Sequence, residues 1–88
     1  MARYDMNSAD FADMAATGNA EVMFELGLIY STGRDCEQDI VAAHKWFNLS
    51  AYRGNDAAKE HREELAYVMD KSQIASAQRA AREWITTH

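Results

Sequence analysis

Three histidines and one cysteine are the side chains in this chain with the widest chemical reach, because imidazole and thiolate can bind metal, attack a carbonyl or move protons. They are Cys36, His44, His61 and His88. Their spacing supports none of those chemistries. Cys36 and His44 lie eight residues apart, one in a loop and one on a helix. Zinc sites need closely spaced pairs of such ligands, and no second cysteine exists. His88 is terminal, His61 reads as half-buried packing on a helix edge, and His44 reads as structural or surface. No glycine-rich phosphate loop, nucleophile elbow or paired-acid motif is present. The expectation is therefore no catalytic residue, no metal and no cofactor. Trp46, Phe47 and Trp84 read as core, and the methionines as core filler, with Met23 a candidate for an adaptable binding surface.

Composition narrows the class further. Eighty-eight residues allow one small domain with a modest core. Proline is absent and glycine occurs four times, so no flexible linker is expected. The 48% apolar content is that of a globular chain. No apolar run approaches the roughly 20 residues that span a bilayer. The start, Met1 to Asp5, has no apolar stretch behind it and does not resemble a secretory signal. One cysteine rules out an internal disulfide. A cytoplasmic protein is the expectation. Residues 1–39 carry eight acids and two bases, and residues 40–88 carry six acids and seven bases. Nucleic acid is then an unfavourable partner, since cationic contacts to phosphate supply most of that affinity. The acidic half favours a basic partner, or serves only as a solvated face.

Apolar spacing and stop signals predict helices throughout. A short one starts at Ser8 or Asp10, carries Phe11, Met14 and Ala15 on one face, and stops at Gly18. The next runs from about Ala20 to Thr32. Its apolar residues cover more than one stripe, so it is expected to pack on two sides. Gly33 ends it and Arg34–Gln38 form a loop. Asp39 caps a helix over about Ile40–Tyr52, closed by Gly54. Asp56 caps another over about Ala57–Met69, with Ala58, Leu65, Met69 and His61 inward. Asp70 and Gln73 form a capping box for the last, which carries Ile74, Ala77, Ala81, Trp84 and Ile85 on one face. The expected fold class is all-α: a short α-solenoid of about five antiparallel helices.

The solenoid expectation comes from a repeat. Gly18-Asn19 recurs as Gly54-Asn55, 36 residues later. Between them lie Leu26-Gly27, Tyr30, Gly33, Asp39, Ala43, Lys45-Trp46-Phe47 and Ser50-Ala51. A period of this size marks helical repeat architectures. Gly27 costs about 1 kcal/mol in mid-helix relative to alanine, which is useful only if a neighbouring helix comes very close. Ala43 and Ala51 would permit that approach, and Trp46 and Phe47 would fill the wider gaps. This set of residues resembles the Sel1-like repeat, a family related to the tetratricopeptide repeats. The likeness is good over residues 9–60, and residues 69–84 resemble the closing helix of short bacterial proteins of that family. It implies a single domain over residues 1–88, with 8–17 closing a partial repeat, 18–54 forming a full one and 55–88 capping the stack. A strict shift by one period replaces Leu26, Gly27 and Tyr30 by Arg62, Glu63 and Ala66, as suits a polar capping element. The unpaired Cys36 separates the chain from the secreted, disulfide-bonded branch.

The resemblance implies an adaptor or scaffold that binds a partner protein, in which the first helix of each pair lines the concave surface. On the helix at 20–32 that surface would be Glu21, Glu25, Leu28 and Thr32, spaced i, i+4, i+7 and i+11. Two acids and a leucine suit a basic or amphipathic segment of the partner; the bland alternative is plain solvent exposure. Arg79 and Arg82, near Trp84, form a second candidate face. So short a groove implies modest affinity unless the chain forms homo-oligomers. The alternative reading is a small regulatory or inhibitory subunit that binds one specific enzyme.

Overall fold

A computed structural model describes residues 18–87, and these form four helices with no strand. They are α1 (Ala20–Thr32), α2 (Ile40–Tyr52), α3 (Asp56–Ala66) and α4 (Lys71–Thr87). The described residues are all-α, as expected. The helix expected over residues 8–17 lies outside the described residues.

Local chemistry explains where each helix starts. The Asn19 side chain accepts from Glu21 N–H at 2.8 Å and from Val22 N–H at 3.2 Å, satisfying donors that have no partner within the helix. Asp39 does the same for Ala42 N–H at 3.0 Å. Asp70 and Gln73 form the expected reciprocal box, at 2.8 and 3.0 Å. The expected cap of α3 is corrected by one residue: Asn55, not Asp56, accepts from Ala58 N–H at 3.0 Å. Asn55 has the extended backbone a cap requires, whereas Asp56 is already helical and adds its charge to the first turn.

Where the helices end also follows from local geometry. Gly33 adopts a left-handed φ of 73° and returns its N–H to Ile29 O at 2.9 Å, closing α1. Helix α3 ends at Ala66 rather than near Met69. Its last carbonyls accept i+3 bonds from Tyr67, Val68 and Met69, a tightened turn. That turn carries Met69 into the core and leaves Tyr67 and Val68 exposed.

Helix α2 is the centre of the packing and contacts α1, α3 and α4. Toward α1 and α4, Met23, Leu49, Ala81 and Trp84 form one buried cluster. Toward α1 and α3, Ala43, Phe47 and Ala58 form another, flanked by Phe24, Leu28 and Leu65. A third, Leu26 with Ile29, gathers Val22, Tyr30, Cys36 and Trp46. Helix α1 therefore buries residues on more than one side, as its pattern predicts.

Three expectations about individual residues are corrected. Phe47 packs directly on Gly27 instead of filling a wider gap. Met23 is fully buried and belongs to no binding surface. Trp46 is only half-buried and lies edge-on to Trp84, with ring centroids 6.1 Å apart. Helix α1 already fills the space beneath α2 with Met23 and Leu26, which leaves Trp46 at the margin.

Candidate functional site

Two concave sites lie on the two sides of α3. Helical geometry advances each residue by about 100°, so α3 sends His61, Glu64 and Leu65 toward one site and Arg62, Glu63 and Ala66 toward the other.

The first is a groove of about 240 Å³ lined by Ser31 of α1, Phe47 of α2, His61, Glu64 and Leu65 of α3, and Val68 just beyond it. Its floor is an aromatic layer. The His61 ring stacks on Phe47 at 5.3 Å and meets Phe24 edge-on at 5.2 Å. Phe24 and Phe47 approach to 5.8 Å. These rings fix α1 against α3, so the groove walls are held by packed side chains rather than by loops. Val68 is 72% exposed and lines the groove as an unburied apolar side chain. Glu64 is the only formally charged residue in the lining, and it is exposed.

The structure divides the four expected partner-binding residues. Leu28 is half-buried and packs on the Phe47 cluster, and it does not line the groove. Glu21 is exposed. Glu25 is engaged, because its Oε2 accepts from Arg34 Nη2 at 3.1 Å, with both side chains about half exposed (48% and 53%). The Thr32 hydroxyl donates to Leu28 O at 2.8 Å and so is occupied within its own helix. Glu21, Glu25 and Thr32 do not line the groove. The second candidate face is also altered. Arg79 and Arg82 are exposed, but Trp84 is buried against α2 and cannot share a surface with them.

The second site is a cleft of about 340 Å³ between α2, α3 and α4, lined by His44, Asn48, Arg62, Glu63, Ala66, Ile74 and Gln78. His44 is 3% exposed, and its Nδ1 is buried without a hydrogen-bond partner among the described residues. Burial pushes its pKa below the ordinary histidine value. The Arg62 charge acts in the same direction, and the residue's own backbone acts in the opposite one. Arg62 Nη1 donates to Asn48 Oδ1 at 2.7 Å. No carboxylate lies within ion-pair distance of Arg62 among the described residues.

Sequence reasoning missed both arrangements. The signal for the groove was Phe24 and His61, which stand at nearly equivalent places one period apart. The signal for the cleft was His44 and Asn48 at i and i+4, two polar side chains on one face of the helix.

Among the described residues, no group of three or more His, Cys, Asp or Glu could hold a metal ion. No described helix is long and apolar enough to cross a membrane. No family model matches the chain, and neither a curated protein nor a solved structure matches it.

Proposed function

We propose that the chain is a protein-interaction module of the Sel1-like repeat kind, an adaptor that binds a segment of a partner in the groove between α1 and α3. One observation carries this reading. A groove floored by the stacked Phe47 and His61 rings opens between α1 and α3, with the exposed Val68 in its lining. Exposed apolar side chains in a preformed groove suit a helical or extended segment with a few apolar anchors.

The charge of this side selects the partner. Glu64 is the one formally charged residue that lines the groove. The partner segment is therefore basic and amphipathic. The repeat reading draws support from matched turns: Gly18 and Gly54 both take left-handed φ values, 81° and 104°, and each is followed by an asparagine that caps a helix. In that reading α1–α2 and α3–α4 are successive pairs of a short solenoid. The work is binding, without catalysis or a cofactor.

The test places a photo-crosslinking residue at position 68 in the full chain, irradiates it in its own cells and identifies what is captured. The expected result is a small set of proteins crosslinked through basic, amphipathic segments, lost in Glu64→Lys. Capture that is equally strong from a control position at Arg79 would contradict a site in the groove. Capture of a single enzyme would make the chain that enzyme's regulatory subunit.

A further inference from the structure

The cleft between α2, α3 and α4 holds polar groups that the fold alone does not require. Arg62 is half-buried, yet its one hydrogen bond among the described residues goes to a neutral amide, Asn48 Oδ1. That bond orients the guanidinium and leaves its other N–H groups available. It also turns the Asn48 amide nitrogen, two further donors, to neighbouring space. Gln78 brings another amide from α4. His44 is almost wholly buried, with Nδ1 enclosed and unpartnered, so Nε2 is the ring atom through which it can meet the cleft. A buried polar group without a partner costs stability, which makes His44 an unusual choice for plain packing. Ala66 and Ile74 supply an apolar wall beside these donors.

We propose that this cleft binds a small monocarboxylate with a short aliphatic tail. The guanidinium plane matches a carboxylate in two parallel hydrogen bonds, which a point charge cannot reproduce. Asn48, Gln78 and His44 line the same cleft with further polar groups, and Ala66 with Ile74 takes the tail. Glu63, the one acid in the lining, sets the charge of the ligand: it opposes a phosphate or any polyanion and tolerates a single negative charge. The volume of about 340 Å³ is at the small end of ligand sites and suits a molecule of this size. The site shares no lining residue with the groove.

The experiment titrates the isotope-labelled full chain with butyrate, butyramide and inorganic phosphate, and follows the side-chain signals of His44, Asn48, Arg62 and Gln78. Butyrate is expected to shift them in a saturable way, whereas butyramide and phosphate leave them in place. Arg62→Met keeps the aliphatic stem and should weaken butyrate binding about tenfold or more, as loss of a charge-assisted pair implies. Gln78→Ala, at an exposed position, should weaken it less without disturbing the fold. Absence of saturable shifts with butyrate in the wild-type chain would overturn the proposal. So would equal responses to butyramide or phosphate, or unchanged binding in a folded Arg62→Met chain.

Discussion

The edge of the Phe47 ring occupies the space that a side chain at Gly27 would need. A Cβ built there would stand 2.5 Å from Phe47 Cε1 and nearer still to Cδ1. Phe47 is 1% exposed, stacks on His61 and meets Phe24, so moving its ring disturbs both contacts. The helix penalty of a glycine, about 1 kcal/mol, is the cost of letting α2 approach α1 this closely. Gly27→Leu should therefore destabilise by more than the usual overpacking range of about 1–3 kcal/mol, and Gly27→Ala by a net amount within it. Thermal or urea melts would show this. An unchanged midpoint for Gly27→Ala would mean that the ring yields.

Ser50 ties the end of α2 to the start of α1. Its hydroxyl donates to Ala20 O at 2.6 Å across 30 residues of sequence, and the side chain is fully buried. Ser50→Ala removes the donor and leaves the carbonyl less well satisfied in a dry place. The expected loss is about 1–3 kcal/mol, and Ser50→Val should not recover it, since added apolar volume cannot replace a donor. Denaturant unfolding of both variants checks this. Equal stability of all three chains would remove the bond from the account.

His44 makes stability depend on pH. Its pKa in the folded chain lies below the unfolded value of about 6.5, because burial and the Arg62 charge both disfavour the imidazolium. Below that value the unfolded chain binds the proton more readily. The stability linked to neutral His44 is thus complete above about pH 6.5 and is lost as pH falls through the folded pKa. Proton NMR titration of the His44 ring should give a midpoint under that of free histidine. A midpoint at or above it would contradict the placement.

The helices over 20–32 and 40–52 were legible to the residue, because glycine and aspartate stop and start signals coincide there with strong apolar spacing. The end of α3 was not. No glycine or proline follows Ala66, and the turn through Tyr67–Met69 is made by backbone bonds that any residues could form. The site was legible only in part. The i, i+4, i+7 rule put Leu28 in the stripe, where it packs on the Phe47 cluster, but a one-dimensional stripe cannot show that Arg34 reaches back to Glu25 or that Thr32 bonds its own helix. Nor does it show which helix stands beside α1. The aromatic layer of Phe24, Phe47 and His61 joins three helices and exists only in the packed state.

The groove is the central claim, and Glu64 with Val68 tests it most directly. Both are exposed, so changing them should leave the fold intact, as circular dichroism would verify. The measurement is the affinity of the purified partner for the wild-type chain and for Glu64→Lys/Val68→Lys, at low and at physiological salt. The account predicts a loss of at least about tenfold in the double variant, with wild-type binding that weakens as salt screens the acidic lining over about 8 Å. Undiminished affinity in a folded double variant would contradict it and place the partner on another face.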